Sequence, residues 1–194
     1  MRAIAAAIVR EPALLCDNFD VKFSEKIMLT LFNQFWLIAQ LKSGPEHLPA
    51  SSFLLLIITV FNIALSLIIS VNIGTQSSAT VATTILTSLA AQAFTIYVLL
   101  SLVGKSERLT QTLIAYFGCD LLMNIVIGLC IVAMRLLGVD FMTTLAFMIF
   151  FWSILIFGFI LHKAMEVHMA MAVVLAFLLT LVTVALGQLA VGQT

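Results

Sequence analysis

No Asp, Glu, Lys or Arg occurs between Glu46 and Lys105, and this uncharged run constrains the fold more than any other feature. A transmembrane helix needs about 20 apolar residues, so the run is too long for a single span. A polar stretch at 72–80 (NIGTQSSAT) divides it. The run therefore predicts two membrane-spanning helices joined by a polar turn.

The composition agrees with a membrane location. Hydrophobic residues make up 63% of the 194-residue chain and charged residues 9%, whereas soluble domains have about 45–50% and 25%. So few charges cannot cover the surface of a water-soluble globule of this size. An integral membrane protein is predicted, and a soluble enzyme, a nucleic-acid-binding protein and a disordered chain are excluded. We expect the lipid bilayer as a partner and no nucleic acid.

Three further apolar runs follow Lys105. All five runs are continuous rather than alternating, which favours helices over a β-barrel. The predicted fold is all-α: a five-helix membrane domain at 50–194, preceded by a cytoplasmic N-terminal segment at 1–49. The five predicted spans are 52–71, 81–103, 110–134, 141–161 and 169–189.

The distribution of Lys and Arg predicts the orientation. The apolar stretch 3–9 after Arg2 is typical of a secretory signal, but Arg10 interrupts it and no convincing cleavage site follows, so we expect a retained cytoplasmic segment. With the N-terminus inside, eight of the nine basic residues lie in the cytoplasm and only Arg135 lies outside. Cytoplasmic loops carry the excess of basic residues, so the prediction is a cytoplasmic N-terminus and an external C-terminus.

The segment 24–42 (SEKIMLTLFNQFWLIAQLK) is predicted to form an amphipathic helix before the first span. The uncharged stretch between Lys26 and Lys42 is too short to cross comfortably, and Trp36 suits the depth of the headgroups. We favour an interfacial helix on the inner leaflet. The alternative is that it packs on a partner protein or on the bundle itself. Its lipid- or partner-binding face would comprise Ile27, Leu31, Phe35 and Ile38.

Asp120 is the one acid well inside a predicted span, about 15 Å from the start of the third helix. Tyr116 and Asn124 lie one turn to either side, so the three residues form an intramembrane polar stripe. A carboxyl group at this depth normally faces protein or water. The stripe is either a proton or cation relay, or a set of hydrogen bonds that ties helices together, and we favour the second interpretation.

Small and polar side chains recur at helical spacing in the first two spans. Such residues allow helices to approach closely and to form hydrogen bonds between them, so helix packing is expected here rather than a substrate path. The repeats are Asn62, Ser66 and Ser70 in the first span, and Thr84, Ser88 and Gln92 in the second.

No catalytic, cofactor-binding or metal-binding motif is evident. The chain lacks the zinc-protease helix, the nucleophile elbow and the phosphate-binding loop. His162, Glu166 and His168 surround a connection between spans, where Lys163 lies beside them. We expect a solvated junction there rather than a metal site.

Part of the chain resembles the Yip family, the Ypt/Rab-interacting membrane proteins. The stretch 104–118 (GKSERLTQTLIAYFG) is similar to the one that opens the third helix in that family. Two later stretches, 152–162 (WSILIFGFILH) and 167–175 (VHMAMAVVL), look like its fourth and fifth helices. It implies five spans, a cytoplasmic N-terminal segment and no enzymatic activity. Eukaryotic members bind small GTPases and act in vesicle traffic, and members of this short size are common in bacteria, which implies a bacterial inner membrane.

Three functional classes follow from these patterns. The leading hypothesis is a non-enzymatic adaptor, scaffold or assembly subunit of a membrane complex, with other membrane or membrane-associated proteins, or further copies of itself, as partners. The alternative is a small transporter or channel that uses the polar stripe around Asp120. An intramembrane enzyme is disfavoured because no catalytic set is evident.

Overall fold

The computed structural model describes residues 29–73, 78–138 and 142–192. The chain divides into two units, Met1–Gln34 and Phe35–Thr194. Of the first unit only 29–34 are described, and they form the start of helix α1 (Leu29–Ala39). The helices described next lie in the second unit.

Five long helices make up the second unit, and each is long and apolar enough to cross a membrane. They confirm the predicted all-helical membrane fold, and no strand occurs within the described ranges. Large apolar side chains such as Phe53, Phe94 and Phe147 are exposed along them, as expected for surfaces that face lipid. The helices are α2 (Ser52–Ile73), α3 (Ser78–Leu102), α4 (Leu109–Leu137), α5 (Met142–Met165) and α6 (Met169–Gly192).

The helix α4 is longer than the predicted third span, 110–134. It continues past Arg135, whose charge lies in the last helical turn, where a cation suits the helix dipole. Gly138 then ends the helix with a left-handed φ of 65° and donates its backbone N–H to the carbonyl oxygen of Met134. Glycine adopts this conformation without the steric cost that a side chain imposes.

Three of the connections between helices gather at one end of the bundle. The helix α4 packs against α2 and α5, and α6 packs against α3 and α5. Lys105 Nζ lies 2.6 Å from Glu166 Oε2, and Gln111 Nε2 donates to the Leu48 carbonyl oxygen at 3.1 Å. These contacts bring together three connections that define what we call the charged end: 40–51, 103–108 and 166–168.

The helices α5 and α6 approach closely at Gly158. A Cβ atom at this position would lie 2.8 Å from Val173 Cα and 2.7 Å from Val173 Cγ2. Real Cβ atoms essentially never approach so closely, and the backbone of Val173 cannot turn aside as a side chain can. The absence of a side chain at Gly158 therefore sets the separation of these two helices.

Two residues of the predicted interfacial helix are buried, which agrees with packing on the bundle, the alternative that the sequence left open. Phe35 and Ile38 are buried, and the Phe35 ring lies where a Cβ atom of Gly118 on α4 would be. The Cys119 thiol donates to the Phe35 carbonyl oxygen at 3.8 Å. These two side chains are therefore covered by the chain itself, and Phe35 packs against α4.

The remaining residues of the predicted interfacial helix differ in where they lie. Trp36 is 46% exposed, on the side of α1 that the bundle does not cover. Leu31 lies in α1, one turn before Phe35. Ile27 and the predicted start at Ser24 lie outside the described residues, and the interfacial location of the segment stays a prediction.

Candidate functional site

A cluster of polar side chains lies between α2 and α4, where two membrane-spanning helices pack together. We call Asn62, Ser66, Asp120 and Asn124 the polar cluster. Asp120 lies about 16 Å from Leu109 along α4, close to the middle of that helix. Asn62 is only 1% exposed. A buried amide in a membrane-spanning helix has no water to bind, so its partners must come from the protein.

Hydrogen bonds within the polar cluster form a connected set. Asn62 Nδ2 donates to Asp120 Oδ2 at 2.8 Å. Asn124 Nδ2 donates to Asn62 Oδ1 at 2.9 Å and to Ser66 Oγ at 3.2 Å. Ser66 Oγ in turn donates to Asn62 Oδ1 at 3.2 Å. The set joins α2 to α4, which is the packing role expected of polar side chains in membrane helices.

Asp120 also lines a cavity on another side of α4. The cavity has a volume of about 240 Å³ and is bounded by residues of α3, α4, α5 and α6. Apolar and aromatic side chains form much of its wall, including Phe150 and Phe157. The polar side chains that line it are Gln92, Tyr116, Asp120, Ser153 and Thr180.

The predicted stripe of three residues divides between these two features. Asp120 and Asn124 belong to the polar cluster, whereas Tyr116 lines the cavity and lies against Phe157 of α5, with ring centroids 4.8 Å apart. Successive residues at i+4 drift around a helix, because four residues exceed the 3.6 of one turn. Asp120 is the member of the stripe that takes part in both features.

The polar lining of the cavity includes one acidic side chain, Asp120, and no basic one. Thr180 Oγ1 donates its only proton to the Ala176 carbonyl oxygen at 2.8 Å, so toward the cavity this oxygen can act only as an acceptor. An ionised Asp120 likewise only accepts. None of the lining residues is a Lys, Arg or His. Such a lining suits a ligand that brings positive charge.

Sequence reasoning missed Ser153 and Thr180. Each lies within an apolar run and has no polar neighbour at i+4, so spacing gives no signal that links it to Asp120. Of the small and polar repeats, Asn62 and Ser66 lie in the polar cluster and Gln92 lines the cavity. Ser88 lies at the close approach of α3 and α6, where its Oγ would be 3.1 Å from a Cβ atom at Gly187.

Glu166 is the centre of an ion-pair network at the charged end. Its carboxylate lies 2.6 Å from Lys105 Nζ and 3.0 Å from Arg108 Nη1. The hydrogen bond and charge of Lys105, with a smaller effect of Arg108, lower the pKa of the Glu166 carboxyl below its usual 4.5. Glu166 also has a left-handed φ of 57°, a conformation uncommon for residues other than glycine.

His162 and Glu166, near the connection between α5 and α6, have separate partners. The His162 ring contacts the carbonyl oxygen of Val167 through Nδ1, while Glu166 binds Lys105 and Arg108. His168 Nδ1 accepts from the backbone N–H of Ala170 at 3.4 Å.

Comparison of the chain with family models, with curated proteins and with solved structures finds no match.

Proposed function

We propose that this chain is a non-enzymatic membrane protein that serves as an adaptor, scaffold or assembly subunit of a membrane complex. The observation that carries the proposal is the network of Glu166, Lys105 and Arg108 on the surface of the charged end. Exposed ion pairs contribute little to stability. A network that adds little stability, and is built on a residue with an uncommon backbone conformation, fits a recognition surface better than a structural one.

The partners proposed are other membrane or membrane-associated proteins, or further copies of this chain. The charged end contains Lys42, Lys105 and Arg108. Connections that contain Lys and Arg favour the cytoplasmic side, so a partner would meet this end from the cytoplasm. The resemblance to the Yip family supports the same class of function, and a bacterial inner membrane is the proposed location.

Affinity purification in mild detergent with quantitative mass spectrometry tests this proposal. Glu166→Lys reverses the charge at the centre of the network and retains every Lys and Arg, so the bias that orients the helices is kept. Arg135→Gln, at the opposite end, is the matched control. We expect partners that co-purify with the wild type and with Arg135→Gln and are depleted with Glu166→Lys. Enrichment of no protein over an unrelated membrane protein would contradict the proposal.

A second candidate function, a small transporter or channel, is favoured by the cavity that Asp120 lines. An ionisable residue within a membrane-spanning helix often marks the path of an ion or substrate. Ion and proton flux into liposomes, measured for the wild type and for Asp120→Asn, tests this candidate. Flux that depends on the Asp120 carboxyl would favour transport over the adaptor role, whereas liposomes that stay impermeable would exclude it.

A further inference from the structure

We infer that the cavity between α3, α4, α5 and α6 binds a small organic cation, specifically a primary ammonium group attached to an apolar body. The inference deepens the second candidate function, because it names the ligand class of the same cavity. Binding at the site is nevertheless a separate property from transport, and the two are measured separately below.

The first argument is the chemistry of the polar lining. A primary ammonium group has three donors and no acceptor. Asp120 offers carboxylate oxygens, and Thr180 offers an oxygen whose own proton is already donated to Ala176. Because no lining residue is basic, an anionic ligand would find no counter-charge there. The lining therefore favours a cation over an anion, and Asp120 and Thr180 can accept the hydrogen bonds of a primary ammonium group.

Asp120 retains capacity for such a ligand although it belongs to the polar cluster. A carboxylate has about four lone-pair positions on its two oxygens. The hydrogen bond from Asn62 Nδ2 is made to Oδ2. That bond fixes the orientation of the carboxyl group while leaving acceptor positions free, so the polar cluster acts as a support for the site.

The second argument is the aromatic part of the wall. Tyr116, Phe150 and Phe157 line the same cavity as Asp120. Aromatic faces attract cations electrostatically, and the attraction is stronger where water is excluded. Aromatic rings around a single carboxylate distinguish an organic ammonium ion from a metal ion, which prefers several oxygen ligands.

The size of the cavity sets the size of the ligand. An engineered apolar cavity of about 150 Å³ is known to hold a benzene molecule. The cavity here, about 240 Å³, has room for a benzene ring with an attached aminomethyl group. Benzylammonium is therefore a suitable probe, and benzyl alcohol is its uncharged analogue of nearly the same shape.

Calorimetric titration of the purified full-length chain in detergent micelles tests the inference. We expect saturable binding of benzylammonium and at least about tenfold weaker binding of benzyl alcohol, since a hydrogen bond between charged partners contributes more than a neutral one. Benzoate, with the opposite charge, should not bind. Absence of benzylammonium binding, or equal binding of the alcohol, would overturn the inference.

Two variants locate the site. Asp120→Asn keeps the shape and the hydrogen bond with Asn62 but removes the charge, and it should weaken benzylammonium binding by about tenfold or more while leaving benzyl alcohol unaffected. Ser153→Phe fills the cavity without altering Asp120 and should abolish binding of both compounds. Thr83→Ala, at an exposed position on α3 outside the cavity, is the control that should bind like the wild type.

These measurements distinguish ligand binding in the cavity from transport. If Asp120→Asn fails to fold, Ser153→Phe and the preference for the charged probe decide the question. Benzylammonium binding that survives Ser153→Phe would place the ligand elsewhere and overturn the inference. Binding without flux of benzylammonium into liposomes would support the site while contradicting the transport function.

Discussion

Asn62 on α2 donates a 2.8 Å hydrogen bond to Asp120 on α4. The two residues are far apart in the sequence, and each lies in a helix long and apolar enough to span a membrane. Asn124 donates back to Asn62, so the two helices are connected in both directions. In a membrane, where water cannot replace a lost partner, such bonds favour one pairing of helices over others.

The first prediction concerns Asp120 and the stability of this pairing. Asp120→Asn retains an acceptor for Asn62 and should leave folding close to that of the wild type. Asp120→Leu removes the hydrogen bond and should cost about 0.6 kcal/mol, the average for such bonds between membrane helices. The free energy of unfolding in mixed micelles measures both. A loss with Asp120→Asn as large as that with Asp120→Leu would show that charge rather than hydrogen bonding is required.

The second prediction compares two neighbouring aromatic residues in α1. Phe35 is 8% exposed and packs at Gly118, whereas Trp36 is 46% exposed. Phe35→Ala should destabilise the chain by about 3 kcal/mol, because it leaves a cavity. Trp36→Ala should change stability by less than about 1 kcal/mol. Thermal unfolding in detergent measures the difference, and equal effects would argue against packing of this segment on α4.

The third prediction concerns two glycines within helices. Gly158→Ala places a Cβ atom 2.8 Å from the backbone of Val173 and should cost about 1–3 kcal/mol through overpacking. Gly128→Ala is the matched control, since its Cβ would lie 3.6 Å from Ile69 Cδ1, an ordinary contact. Unfolding of both variants under identical conditions gives the comparison. A tolerated Gly158→Ala would show that α5 and α6 can separate at little cost.

The fourth prediction concerns pH and Glu166. Lys105 beside Glu166 lowers the pKa of this carboxyl below 4.5, so the folded state favours the ionised form. The resulting stabilisation is present above pH 4.5 and is lost as the pH falls through the lowered pKa. It should be small, because the ion pair is exposed. Measured across this range, the difference in melting temperature between wild type and Glu166→Gln should shrink toward zero on acidification; a difference that grows would contradict this assignment.

The five helices could be predicted from the sequence because membrane spans leave a strong local signal. Long uncharged runs and the polar turn after α2 are sufficient, since each helix satisfies its own backbone hydrogen bonds. The helix α4 continues beyond the predicted third span, since a helix need not end where a membrane span ends. The structure extends the helix to Leu137, with Gly138 as its cap.

The relations between helices were predicted less well. Local spacing placed Tyr116, Asp120 and Asn124 on one stripe, but only the packed bundle determines that Tyr116 faces α5 while Asn124 faces α2. An apolar face was predicted for 24–42, and such a face suits lipid, a partner and the bundle equally well. The contribution of Ser153 to the cavity likewise depends on contacts between distant helices.

The central claim is that the chain crosses the membrane five times. The side of the membrane on which each end of the bundle lies tests this claim most directly, because five crossings must place the C-terminus on the side opposite to the charged end. Reporter fusions that distinguish cytoplasm from exterior can be placed after Arg108 and at the C-terminus, with further fusions after Gln76 and Gly138. We predict a cytoplasmic report at Arg108 and an external report at the other three positions. A cytoplasmic C-terminus together with a cytoplasmic Arg108 would contradict the five-span account, because it requires an even number of crossings between them.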